Sequence, residues 1–286
     1  MNIAIFGLGL IGGSIGRSII KNTDNVVYGF DVSEDSLLKA KMLKAINHVL
    51  TLEDYGKIDM VIVATNPRIA INIIKEISPK LKDGTVIVDC CGNKRIVVDE
   101  MKKLAKAYPK IKYYGGHPMA GREFSGIAHS TGNLLDRAFF ILVTVNGDIK
   151  TTASLKAFWI SLGCLNVVIT DSSTHDEIIS YTSQLAHVVS SAYIKNPLSQ
   201  KHVGYSAGSF RDMTRVAKLE PTMWAELMIE NRDNLSPQID DLINNLQQYK
   251  NAIDSGNEEL LKELLQKGNA LKESAEKSRK NGVNND

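Results

Sequence analysis

The apolar run Ile3 to Phe6 leads directly into Gly7-Leu8-Gly9-Leu10-Ile11-Gly12, and the residues that follow carry helical spacing. A strand, a G-x-G-x-x-G turn and a helix in that order constrain this chain more than any other feature. The first glycine makes a turn too tight for a side chain, the second lets backbone approach a pyrophosphate, and the third lets helix and strand pack closely. Unpaired N–H groups and the dipole at the helix start favour an anion. Gly7, Gly9, Leu10, Ile11 and Gly12 are therefore expected to hold the phosphates of a dinucleotide.

Glycine loops alone are common, so the surroundings matter. The second apolar run, Val26 to Phe30, ends at Asp31, roughly twenty residues beyond the glycines, where a carboxylate accepts hydrogen bonds from an adenosine ribose. Its charge repels a 2′-phosphate, and Val32 and Ser33 bring no cation to bind one. NAD is favoured over NADP. The competing role for Asp31 is to cap the helix starting near Glu34.

Four further apolar runs read as strands: Met60 to Ala64, Val86 to Asp89, Ala138 to Val145 and Asn166 to Ile169, with a helix expected over Thr152 to Leu162. Alternation with amphipathic stretches predicts an α/β, Rossmann-type, doubly wound parallel sheet over residues 1–170. Beyond it the spacing is helical with almost no strand-like alternation, which predicts an all-α domain over 171–286. Thr174 with Glu177, and Ser255 with Glu258, read as capping boxes; the second opens a helix lined by Leu260, Leu261, Leu264, Leu265 and Leu271. The polar end from Lys277 is expected to fray. A length of 286 residues suits two domains and leaves no room for a regulatory one.

Composition excludes several classes. Lys plus Arg is 34 against 32 for Asp plus Glu, with no basic block, so no nucleic-acid partner is expected. No apolar run is long enough to span a membrane. The apolar start lacks a cationic segment and is broken by five glycines, unlike a secretory leader. Cys90, Cys91 and Cys164 are an odd set without metal-ligand spacing, which predicts buried, reduced thiols in the cytoplasm and no metal site.

Three segments carry candidate chemistry. In Tyr114-Gly115-Gly116-His117-Pro118-Met119-Ala120-Gly121 a single histidine sits among small and restricted residues, expected just after a strand at the cofactor side of the sheet, where a general base belongs. Asp176, Ser180, Ser183 and His187 recur at spacings of four, three and four, which puts them on one face of a helix as a polar stripe suited to a cleft. Arg211 and Arg215 lie in Gly208-Ser209-Phe210-Arg211-Asp212-Met213-Thr214-Arg215; a guanidinium there can grip a carboxylate substrate with both prongs of its fork, or form a surface ion pair.

Taken in order, the glycine loop followed by Gly13-Ser14, the His117 to Gly121 segment, Ser183-Gln184-Leu185-Ala186-His187, and Phe210 to Arg215 ahead of Trp224 resemble the prephenate dehydrogenases over roughly residues 1 to 240. The resemblance implies oxidative decarboxylation of prephenate to 4-hydroxyphenylpyruvate with reduction of NAD, a step of tyrosine biosynthesis. It implies that His117 hydrogen-bonds the ring hydroxyl and takes its proton, that Arg215 binds a substrate carboxylate, and that His187 and Trp224 shape the pocket. Asp176 and Ser183 would help to line it, and Arg122 ranks below Arg215 as a carboxylate or cofactor ligand. A homodimer joined through the helical domain is implied as well. One departure is plain: where the family often has a serine whose hydroxyl assists the histidine, this chain has Gly92, leaving Asn93 or a water for that task. Arogenate as substrate, a β-hydroxyacid-type dehydrogenase using Lys195, and a non-catalytic NAD-sensing protein stand as alternatives.

Overall fold

The computed structural model describes residues 1–122 and 124–284, with side chains through Lys277. Among the described residues, eight strands form one sheet in the order β3-β2-β1-β4-β5-β6-β7-β8. They are β1 (Asn2–Phe6), β2 (Val26–Phe30), β3 (His48–Val49), β4 (Met60–Val63), β5 (Val86–Asp89), β6 (Lys112–Pro118), β7 (Phe139–Thr144) and β8 (Asn166–Thr170). Between them run α1 (Leu10–Asn22), α2 (Glu34–Met42), α3 (Pro67–Ile77), α4 (Arg95–Ala107) and α5 (Ile149–Ser161).

Strand periodicity builds the core. Ile3, Ile5, Ile62, Tyr114 and Phe140 point to one face and pack with Ile15 and Ile19 of α1 and Leu155 and Trp159 of α5. Their neighbours Ala4, Phe6, Val61, Val63 and Tyr113 point to the other face and meet Ile74 of α3 and Met101 of α4. A sheet covered on both sides needs strands apolar at every position, and β4 is buried throughout. The expected doubly wound sheet is present, mostly parallel.

The sheet departs from the expected all-parallel pattern at β7, which pairs antiparallel with β6 before β8 pairs parallel with β7. Among its described residues, the segment joining β6 to β7 carries a short 3-10 turn, Ile127–His129, and no crossover helix of the kind a parallel return uses. His117 lies within β6, not after it. The Gly115-Gly116 pair is a close-packing requirement: a Cβ on Gly116 would stand 2.4 Å from the Asp89 carbonyl oxygen and 2.8 Å from the Phe140 ring.

After the sheet come α6 (Ser172–Ile179), a π-helical turn (Ser180–Leu185), α7 (Ala186–Tyr193), α8 (Gly208–Thr214), α9 (Pro221–Glu230), α10 (Arg232–Asp254) and α11 (Glu258–Asn284). Both expected capping boxes are replaced. Asp171 caps α6 by accepting from Ser173 and Thr174 N–H, both at 2.9 Å. Asn257 caps α11 by accepting from Leu260 N–H at 3.0 Å, while the Ser255 hydroxyl donates back to the Asn251 carbonyl at 2.7 Å. In each case a side-chain oxygen lying closer to the first turn takes the orphan amides. The backbone of α11 continues to Asn284; the last two residues of the tail expected to fray lie outside the described residues.

By its contacts the chain divides into two compact units, Met1–Asn234 and the part from Leu235 onward. In the second, α10 and α11 turn back at Gly256, whose φ of +63° favours glycine, and Tyr249 Oη donates to the Leu264 carbonyl at 3.2 Å. No described helix is long and apolar enough to cross a membrane.

The glycine loop yields a stability prediction. A Cβ at Gly12 would lie 1.9 Å from the Gly7 carbonyl oxygen, whereas one at Gly9 meets nothing within 4 Å. Gly12→Ala is expected to lower unfolding free energy by about 2 kcal/mol or more, and Gly9→Ala by under about 1 kcal/mol. Urea denaturation of the two variants checks the contrast; equal losses would contradict it.

Candidate functional site

The loop between β1 and α1 leaves helix N-terminal amides open, an arrangement that could hold an anion. Gly7 holds φ +86° against Ala64, and Gly9 stands at the N-cap of α1 with no side chain satisfying the first amides. Asp31, at the end of β2, accepts from Leu8 N–H at 2.8 Å and from Ser33 N–H at 2.9 Å. Ser33, not Asp31, caps α2 through Ser36 N–H. Asp31 is thus fastened to the glycine loop, and its two oxygens, with about four lone-pair sites, keep capacity for further donors. Leu10 opens α1 and Ile11 packs partly buried against the core.

His117 stands at the carboxyl end of β6, the edge where open α/β sheets bind ligands. Its Nδ1 lies 2.9 Å from His175 Nε2, and His175 Nδ1 lies 2.7 Å from Asp176 Oδ1. His175 and Asp176, at the second turn of α6, are each 2% exposed. The Asp176 carboxylate also accepts from the backbone N–H of Lys94 at 2.7 Å and of Arg95 at 3.0 Å, and from Arg95 Nε at 3.2 Å. Beneath them the Lys94 ammonium, fully buried, pairs with Asp89, whose oxygens also accept from Cys91 and Gly116 N–H.

Burial, then His175 and Lys94 nearby, hold the His117 imidazole well below the ordinary histidine value. Burial also lowers His175, against a hydrogen bond to Asp176 that works to raise it. For Asp176 burial works to raise the pKa, but hydrogen bonds from His175 and the Arg95 and Lys94 amides outweigh it and keep the carboxyl below its usual range. The result is a neutral imidazole at the sheet edge over a buried anion. Such a group can take a proton from a bound hydroxyl.

A second cluster lies further along the same helical run. His187, on α7, faces the Val216 carbonyl at 3.1 Å through Nδ1 and packs against Trp224 of α9, with ring centroids 4.0 Å apart. Burial lowers its pKa, and Arg215, at the C-cap of α8, adds to the effect. The structure therefore brings together Arg215, His187 and Trp224. Twelve residues separate His175 from His187, roughly 18 Å of helix.

The π-helical turn between them re-aims the expected polar stripe. Asp176 and Ser180 are buried, but the next inward polar residue is Gln184; Ser183 is half-buried. Gln184 Nε2 donates to Asn93 Oδ1 at 2.9 Å, Asn93 Nδ2 donates to the Leu227 carbonyl at 2.8 Å, and Asn231 Nδ2 donates to Gln184 Oε1 at 2.8 Å. Asn93 is thus engaged with α9 and the π-helical turn and is not brought to His117. Space beside Gly92 is filled by Leu227, 3.2 Å from where a Cβ would stand. Arg122 is exposed, with Nη1 3.4 Å from the His129 carbonyl. Lys195 is exposed beyond the end of α7.

Sequence reasoning missed His175 and Lys94. His175 is adjacent in sequence to a stripe residue, and only a buried neighbour contact distinguishes it from a surface histidine. Lys94 could have been flagged as a cation five residues after Asp89, at the start of a helix with no capping side chain.

Comparison with known proteins agrees along most of the chain. The family described as "Prephenate dehydrogenase, nucleotide-binding domain" matches residues 15–169, and "Prephenate dehydrogenase, dimerization domain" matches 171–267. The prephenate dehydrogenase of Lactococcus lactis subsp. cremoris is 26% identical over 96% of this chain and 77% of its own. The cyclohexadienyl dehydrogenase of Zymomonas mobilis subsp. mobilis is 29% identical over 89% of both. The crystal structure of prephenate dehydrogenase from A. aeolicus in complex with hydroxyphenyl propionate and NAD+ superposes with a TM-score of 0.84 at 27% identity, covering 96% of this chain and 98% of that one.

Three imidazoles with depressed pKa values make stability depend on pH. Below the ordinary value of 6.5 the unfolded chain binds protons that folded His117, His175 and His187 refuse. Their stabilisation is complete above that value and is lost as pH falls toward the folded values. The thermal midpoint is expected to drop between about pH 7 and pH 5. Calorimetry across that window checks it, and a flat profile would contradict the burial of these rings.

Proposed function

The chain belongs to the prephenate dehydrogenase family, and from that premise we propose that it oxidatively decarboxylates prephenate to 4-hydroxyphenylpyruvate with NAD, in tyrosine biosynthesis. The observation that carries the mechanism is His117: a neutral imidazole at the carboxyl end of β6, braced through Nδ1 by His175.

The residues at the glycine loop fit NAD. Open space lies at Gly9, the first amides of α1 have no capping side chain, and Asp31 carries the only carboxylate fastened to the loop among the described residues. We assign the pyrophosphate to Gly7, Gly9, Leu10, Ile11 and Gly12 and the adenosine ribose to Asp31. When bound, NAD+ supplies the hydride acceptor.

His117 accepts the proton of the hydroxyl on the ring carbon that loses hydride. Departure of the ring carboxylate as carbon dioxide leaves its bonding pair in the ring, which becomes aromatic. The proton held at His117 then returns to the phenolate oxygen, so no net proton is released. Arg215 binds a substrate carboxylate as a guanidinium fork, and His187 and Trp224 form the wall beside it. Ser183 and Arg122 are kept as secondary ligands, and Asp176 acts through His175. Asn93 is held by Gln184 and the Leu227 carbonyl, away from His117.

Residues 1–170 are assigned to the cofactor and 171–286 to substrate and dimerisation, supported by where the two family matches meet. A homodimer is supported by the description of the second match and by exposed Leu198, Val203 and Tyr205, at 69%, 80% and 94%. Cytoplasmic residence is supported by three unpaired cysteines, whose thiols burial pushes up, Cys164 to about 11.

Formation of NADH with prephenate and arogenate, each with NAD+ and NADP+, tests the reading; turnover of neither substrate would reject it. His117→Asn is expected to lower kcat by about 10²-fold or more with NAD affinity almost unchanged. Arg215→Ala is expected to raise the KM for prephenate, equivalent to about 2 kcal/mol or more of lost binding. An unchanged KM would reject the carboxylate role.

A further inference from the structure

The contacts around His117 determine where its proton sits. Asp176 is enclosed, with its oxygens accepting from Lys94 N–H, Arg95 N–H and Arg95 Nε. An ionised carboxylate only accepts, so the proton in its 2.7 Å contact with His175 belongs to His175 Nδ1. A neutral imidazole carries one N–H, which leaves His175 Nε2 as a lone pair. That lone pair lies 2.9 Å from His117 Nδ1, and only a donor can meet it. His117 must therefore hold its proton on Nδ1, with Nε2 bare.

We propose that His175, anchored by Asp176, is a positioning residue that selects the Nδ1-protonated tautomer of His117 and so presents Nε2 as the base. This rests on the reading of His117 as the base. The two rings are tilted by 54° with centroids 5.1 Å apart, which suits a nitrogen-to-nitrogen hydrogen bond and not face stacking. The opposite arrangement needs a doubly protonated His175 donating from Nε2; burial and the Lys94 ammonium both oppose that charge. Asp176 has a second duty in the same chain of contacts. When His117 gains a proton on Nε2, its Nδ1–H already points at an acceptor whose far nitrogen faces an anion, so the charge is stabilised without any side chain moving.

The backbone settles why these two residues and no others do this. His175 and Asp176 are consecutive on α6, and Asp176 is tied to the first amides of α4, so the His175 ring is held relative to the sheet from both sides. No side chain nearer in sequence to His117 takes its Nδ1 among the described residues; Gly92 has none to offer, and Asn93 is committed to Gln184 and Leu227.

The test reads the tautomer directly. In the full chain labelled with 15N-histidine, two-bond proton–nitrogen correlation is expected to show His117 protonated on Nδ1 at neutral pH, with His117→Asn identifying its signals. His175→Phe keeps volume but offers no acceptor; His117 is expected to shift toward the Nε2-protonated form and kcat for prephenate to fall about 10-fold, with KM for prephenate and NAD within about twofold. His175→Gln, whose side-chain carbonyl reaches the position of Nε2, is expected to recover both readouts in large part. An Nε2-protonated His117 in the unmodified protein, or an Nδ1-protonated one in His175→Phe, overturns the proposal. Should His175→Phe not fold, the spectra of the unmodified protein and of His175→Gln decide it. Failure of the base reading shows separately, as His117→Asn retaining kcat while the tautomer is as proposed.

Discussion

The structure around the site depends on one buried anion, the carboxylate of Asp176. The helix α4 begins at Lys94 and Arg95 with no side chain of its own to satisfy its first amides, and Asp176, 82 residues away, supplies the missing acceptor. A carboxylate at a helix N-terminus gains both the orphan N–H groups and the favourable end of the dipole. Each such charge-assisted bond contributes about 1.5–3 kcal/mol, so the helical segment is docked onto the sheet at one defined register. Arg95 extends the tie, reaching Asp176 through Nε and Asp233 and Asn231 through its terminal nitrogens.

The same few residues stiffen the site from below. Lys94 donates its amide to Asp176 while its ammonium pairs with Asp89, and Asp89 in turn accepts from Gly116 N–H, next to His117. A buried ion pair is costly to assemble, but removing one partner strands the other, at about 3–5 kcal/mol. The amides of Asn93, Gln184 and Asn231 add a second set of satisfied buried polar groups along the π-helical turn. Polar networks of this kind hold rotamers in place. The π-helical turn is what lets Gln184 join that network, because one extra residue in the turn rotates everything after it.

How much could be read beforehand varied with the range of the interaction. The glycine loop, the apolar strands and the change to helical spacing near residue 170 were legible because each depends on neighbours within a few residues. Fold class, NAD and the family followed from these and from the ordered motifs. The placing of His117 after a strand was off by one or two residues, since the contact of Gly116 with Phe140 and the Asp89 carbonyl, which keeps the strand going, joins distant segments. The stripe from Asp176 to His187 was right in polarity, but a helix of uniform pitch gave Ser183 a position that belongs to Gln184.

Alone, the sequence determined the glycine-bearing strand–turn–helix, the sheet it starts, and the identities of His117, His187 and Arg215, because covalent order and side-chain periodicity already encode them. Tertiary structure alone decided that β7 runs antiparallel, that Asn93 turns away from His117, and that His175 turns toward it. Those outcomes are set by which donors and acceptors must be paired once water is excluded, and the partners of His175 and Asn93, 58 and 134 residues away, are not visible to any local pattern.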